Sequence, residues 1–123
     1  MKPSALLPLV LMLALVGCTT TPSDVPADPS YAADIQPIFN GYCISCHNSG
    51  APEGMFALDS YAGATGDGSD TIPNVIPWDA DSSKLYRKVA GIETPQMPFG
   101  QPPLDTVRIA TIRNWINKGA KDN

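Results

Sequence analysis

One five-residue string, Cys43-Ile-Ser-Cys46-His47, constrains this chain more than any other feature. It sets two thiols about one helical turn apart and puts the only histidine of the chain directly after the second. Three chemistries use such a pair: a structural zinc site, a redox disulfide, or covalent attachment of haem. Zinc needs four ligands, whereas Cys43, Cys46 and His47 supply at most three and no second cluster exists. Adjacent Cys46 and His47 would also have difficulty reaching one tetrahedral ion together. A thioredoxin-like pair belongs at a strand–helix junction in a βαβ pattern, and none is visible. The haem reading uses every residue. Each sulfur adds to one vinyl group of the porphyrin, and His47 is then held beneath the iron as proximal ligand. The other nitrogen of its ring is expected to donate to a backbone carbonyl, which fixes the tautomer.

The start of the chain carries an export pattern. Residues 1–17 hold one positive charge, Lys2, followed by the apolar run Ala5 to Val16. That run is too short for a span of about 20 residues and suits the apolar part of a signal peptide. It ends in Leu15-Val-Gly-Cys18, which resembles the bacterial lipoprotein signal, with Cys18 as lipid acceptor and cleavage just before it. Thr19, where some lipoproteins carry aspartate, points by resemblance to the enterobacterial proteins toward the outer membrane. Lipidation of Cys18 would leave an exported protein with a cysteine pair rather than an odd thiol. Residues 18–30 are rich in Thr, Pro, Asp and Ser and are expected to form a flexible tether.

The remaining residues, 31–121, make about one domain. A net charge of -4 argues against a nucleic-acid binder, which needs a basic face for the phosphates. Thirteen prolines and ten glycines predict short helices joined by long loops. Ile35, Ile38, Phe39 and Tyr42 lie at helical spacing, with Ser30 as cap and Pro37 marking either a kink or a first turn. Residues 49–77 read as mostly loop. A short helix is expected from Ser82 to Ala90, capped by Asp79 or Asp81, with Leu85 and Val89 inward. The string Asp79–Lys84 lacks the glycine and closing glutamate of a calcium loop. Asp105 is expected to cap the last helix, with Ile109, Ile112, Trp115 and Ile116 on its apolar face and Gly119 ending it. The whole reads as all-α.

A haem iron has a sixth position. Without a second histidine, bis-histidine ligation is excluded, and Met1 and Met12 leave with the signal. Met55 and Met97 remain. Met55 is eight residues from His47, enough to span about 26 Å extended, so reach does not remove it. Met97 precedes Pro98 in a loop stiffened by Pro95, Pro102 and Pro103, and an extended, rigid loop can hold a neutral ligand at low entropic cost. Met97 is the favoured distal ligand.

From about Tyr31 to Ala120 the chain resembles a monohaem c-type cytochrome domain, closest to the planctomycete-type group. The strings IQPIFNGYCISCHN, FALDSY, VIPWDADSSKLYRKV, MPFGQPPL and IATIRNWINKGA carry the resemblance in that order. It implies a cytochrome c-like fold whose first and last helices cross near Phe39 and Trp115, one covalent haem c, and Met97 as distal ligand. Trp78, Ala80 and Phe99 depart from the group's usual glycine, proline and proline. For Trp78, core packing is expected over contact with the haem edge or a propionate.

The expected function is electron transfer by a membrane-tethered periplasmic carrier, or by the haem subunit of an oxidoreductase, with no bond chemistry of its own. A haem sensor or haem enzyme with an open or labile sixth site is the alternative, and a haem-free lipoprotein with a disulfide is the third. Lys84, Arg87 and Lys88, three and four apart, are expected either to offer a docking patch to a redox protein or to be a plain solvated face.

Overall fold

A proline inside an apolar helical pattern decides how the first helix is built. The computed structural model describes residues 24–123. The expected signal peptide, Cys18 and the start of the expected tether lie outside them. Ser30 caps the element, its hydroxyl accepting from the Ala33 amide at 3.3 Å. The first turn, Tyr31–Ile35, is a π-turn, with Ile35 N–H reaching back five residues to Ser30 O and Gln36 N–H to Tyr31 O. Pro37 has no N–H to give, so it sits where the wide turn passes into α1, Gln36–Tyr42, and no kink is needed. Three short helices follow: α2, Tyr61–Ala64; α3, Lys84–Val89; and α4, Thr106–Asn117. Among the described residues there is no strand, only one isolated bridge between Asp67 and Pro73. This is an all-α, cytochrome c-like fold.

The core forms where the two ends of the domain meet. Tyr31, Ile35, Ile38 and Phe39 bury one side of the first helix, and Ile112, Trp115 and Ile116 one side of α4. The Trp115 ring meets Phe39 edge-on at 6.5 Å and 80°, and Tyr31 lies 5.6 Å from Trp115. Such aromatic pairs add about 0.5–1.5 kcal/mol each beyond their buried area. The polar atoms of these rings are all spoken for. Trp115 Nε1 donates to Lys121 O at 3.0 Å, Tyr61 hydroxyl to Ala120 O at 2.8 Å, and Tyr31 hydroxyl to Gln36 Oε1 at 2.5 Å. Burial pushes the Tyr31 phenol up to about 12.

Several expectations need correction. Tyr42 does not join the core; it is exposed, under the Arg108 guanidinium, 4.9 Å from its ring centre. Packing begins before residue 30: Pro29 is fully buried and Pro26 O accepts from Asn114 Nδ2 at 2.9 Å. Neither Asp79 nor Asp81 caps α3. Ser83 holds that position, while Asp79 closes the turn before it by accepting from Ser82 N at 3.0 Å. Trp78 is not in the core either. It is 68% exposed, with φ of +71°, and its amide donates to Ile116 O at 2.8 Å. Its ring lies against Gly119, where a methyl group would come within 2.5 Å of it. Gly119, at φ +99°, therefore ends α4 and leaves room for the indole. Ala80 lies beside this turn, and its amide donates to Asn117 Oδ1 at 2.9 Å, a bond that proline could not make. Asp105 caps α4 as expected, accepting from Arg108 N at 2.9 Å.

Candidate haem-binding site

The end of α1 tightens directly into the cysteine motif. Cys43 N–H and Ile44 N–H both donate to Phe39 O, and Cys46 N–H and His47 N–H both donate to Cys43 O. This winds both thiols and the imidazole around one turn. Cys43 is half-buried and Cys46 exposed, and both thiols are free. Burial pushes the Cys43 thiol up to about 11, so it stays protonated at neutral pH.

Residues 53–58 return over the motif and hold it. Glu53 N–H donates to Cys46 O at 3.0 Å and Leu58 N–H to His47 O at 2.8 Å. The imidazole is fixed by the same segment. His47 Nδ1 lies 3.1 Å from Glu53 O and 3.0 Å from Phe56 O. Carbonyl oxygens only accept, so Nδ1 must carry the hydrogen and Nε2 keeps its lone pair. The second-nitrogen bond expected from the sequence is thus present twice over. The Glu53–Met55 turn that supplies it was not legible in a stretch read as loop.

These groups open onto a cavity of about 1090 Å³. Ligand pockets commonly run to ~300–1,000 Å³, so this one is large enough for a bulky cofactor. Tyr42, Cys43, Cys46 and His47 form one wall, and Phe56 and Leu58 continue it. Leu85 and Val89 line it from α3, and Pro95, Met97, Pro98 and Phe99 from the proline loop. The donor set suits covalent haem: two thiols, an imidazole with a free Nε2, a thioether and apolar walls. Among the described residues, no group of three or more His, Cys, Asp or Glu converges to hold a bare metal ion.

The two methionines separate clearly. Met97 lines the cavity and is half-buried against the core cluster, with its amide donating to Lys88 O at 3.1 Å. Met55 is 72% exposed and lies outside the cavity lining. The α3 cations separate as well. Lys84 pairs with Asp70, while Arg87 and Lys88 both pair with Glu93, at 3.3 and 3.4 Å. Lys84 and Lys88 line the cavity and Arg87 does not. Trp78 is not in the lining.

Sequence reasoning missed Asp59, which clamps the loop behind the motif. Its Oδ2 accepts from both the amide and the hydroxyl of Ser49, each at 2.7 Å, and these bonds hold its carboxyl below the usual aspartate range.

An all-α domain that gathers a Cys-x-x-Cys-His turn and a methionine around one apolar cavity belongs to the class of c-type haem domains. Residues 43–99 match the family described as Planctomycete cytochrome C. The matched segment runs from the first motif cysteine to just past Met97, and it supports a cytochrome c-type domain of the planctomycete group. That family implies covalently bound haem c and haem-based electron transfer. No curated protein and no solved structure matches the chain. Among the described residues no helix is long and apolar enough to cross a membrane.

Proposed function

We propose that this protein passes single electrons through one haem c, held by thioethers to Cys43 and Cys46 and ligated by His47 and Met97. The haem, when bound, supplies the one-electron couple. The chain supplies everything around it. His47 presents Nε2 with its ring already oriented. Met97 offers a neutral sulfur that favours the reduced state and raises the potential. The apolar walls keep water away and leave little to rearrange when the charge changes. The observation that carries the reading is the double donation from His47 Nδ1 to Glu53 O and Phe56 O. It commits one nitrogen and leaves the other as ligand, the arrangement typical of metal-bound histidine.

The setting follows from the leader. The domain is exported, lipidated at Cys18 and tethered on the periplasmic side of a membrane, with the outer membrane favoured by Thr19. It works there as a carrier or as the haem subunit of an oxidoreductase. Its partner is a redox protein. The α3 cations enter that docking only as far as their pairs with Asp70 and Glu93 leave charge exposed.

The test is expression in cells that mature c-type cytochromes. The mature protein should keep its haem on a denaturing gel and show the adduct by mass. The oxidised form should show the iron–sulfur charge-transfer absorption in the red. Met97→Ala should abolish that band and let the reduced protein bind carbon monoxide rapidly, whereas Met55→Ala should change neither. Rapid carbon monoxide binding by the wild type would replace electron transfer with a sensor or enzyme role.

A further inference from the structure

Lys84 and Lys88 lie four apart, on one face of α3, and that face borders the cavity. Arg87 carries the same charge on the same helix and is not part of the lining. Lysine is rarely covered unless its charge is matched, yet the Lys88 side chain is only 18% exposed. Its ammonium donates to Thr94 O at 2.7 Å, one residue before the cavity-lining Pro95.

The ion pairs around Lys88 leave it available. Glu93 has a second cation, with Arg87 Nε at 3.3 Å from Oε2 while Lys88 addresses Oε1 at 3.4 Å. Lys88 can turn to an anion in the cavity without leaving Glu93 alone. The partner of Lys84, Asp70, has a side chain 42% exposed, so water takes over its solvation if Lys84 moves. Asn74 stands on the same lining. It is buried, and its Nδ2 reaches only Gly66 O at 3.5 Å, the limit of a hydrogen bond.

Haem brings two carboxylates into a cavity that already carries the acids Glu53 and Asp70. Building on the haem reading above, we propose that Lys84 and Lys88 bind the propionate carboxylates, with Asn74 donating alongside them. Arg87 holds Glu93 clear of the site. The three cations of α3 thus divide into two that face the cofactor and one that keeps their competitor occupied. Trp78, the other propionate donor suggested by the sequence, is outside the cavity.

Covalent attachment keeps the chromophore in place when such a contact is lost, so the matured protein can be tested directly. Lys84→Met, Lys88→Met, Lys88→Arg and Arg87→Gln would be compared with wild type. The readouts are the propionate bending band in resonance Raman spectra and the reduction potential at fixed pH and ionic strength. Both methionine variants should shift the band and lower the potential, because a lost cation disfavours the added electron. Arg87→Gln, which keeps both cavity-facing lysines but leaves Glu93 to Lys88 alone, should shift both in the same direction by less than either methionine variant, and Lys88→Arg should restore them. Equal shifts in Lys88→Met and Arg87→Gln would reduce the effect to general surface charge and overturn the assignment, as would an unmoved band in both methionine variants. If Lys88→Met fails to fold, Lys84→Met alone decides. A wild type without the haem adduct brings down the parent reading; an adduct with an unmoved band brings down only this inference.

Discussion

The helix crossing and the cavity wall are held together by different means. At the crossing, Tyr31, Phe39 and Trp115 touch one another, every ring donor has a partner, and the chain completes its own packing. Around the cavity, Cys43, Phe56, Leu85 and Met97 come from four separate segments and face a shared volume. Their segments are joined by backbone bonds such as Ser69 N to Gly54 O and Met97 N to Lys88 O, and they pack against the edge of the apolar core rather than across the cavity from one another. One region carries the fold. The other presents ligands, and whatever fills the space between its walls adds to its cohesion.

The comparison can be broken most directly by removing the attachment. The pair Cys43→Ala and Cys46→Ala should yield protein with no haem adduct by mass. Amide hydrogen exchange should then accelerate most over residues 84–103 and least over α4. Equal acceleration in α4 would mean that the macrocycle holds the crossing as well. Next in size, Trp115→Ala should cost about 3–5 kcal/mol in denaturant titration, as for other fully buried aromatics, while the folded fraction keeps the wild-type visible spectrum. A smaller effect is expected at the edge of the crossing. Gly119→Ala should destabilise by more than about 1 kcal/mol, since alanine is strained at positive φ and its methyl would strike the Trp78 ring. Adding Trp78→Ala should recover the steric part and leave the backbone part, a coupling visible in a double-mutant cycle.

The smallest effect is a pH dependence behind the motif. Asp59 has its carboxyl pKa lowered by the Ser49 amide and hydroxyl. A lowered folded pKa contributes stability above the unfolded value, about 3.9, and loses it as pH falls through the folded one. The Ser49–Asp59 clamp should therefore be fully present at neutral pH and weaken only in acid. Asp59→Asn should flatten that acid limb in pH-dependent unfolding, and an unchanged limb would assign the clamp no energetic role.

Strong periodicity made the crossing legible. The apolar spacing on α4, with Asp105 before it and Gly119 after it, leaves few other structures open, and Phe39 and Trp115 meet as the resemblance implied. The cysteine motif was legible because its chemistry is carried by residue type and spacing. What stayed hidden depends on chain return. The four-residue α2 is too short to show a period, and nothing local marks Ser60 as its cap or Asp59 as the partner of Ser49. Trp78 looked like a core residue because indoles usually are; its backbone at φ +71° turns it outward instead, held there by the hydrogen bond its N–H donates to Ile116 O. The three α3 cations were visible as a face, but only the return of residues 93–103 shows which of them borders the cavity.

The main-chain anchoring of His47 also sets where this domain can be retuned. Since Glu53 and Phe56 hold the ring through their carbonyls, a change of the Glu53 side chain leaves both hydrogen bonds in place provided the path of residues 53–56 is kept, whereas the Phe56 ring also packs edge-on against the imidazole at 5.8 Å. The two carbonyl contacts are therefore insulated from changes made elsewhere around the centre. The adjustable dial lies in the proline segment and α3, where substitutions alter what the iron and its carboxylates feel without touching the grip on the imidazole.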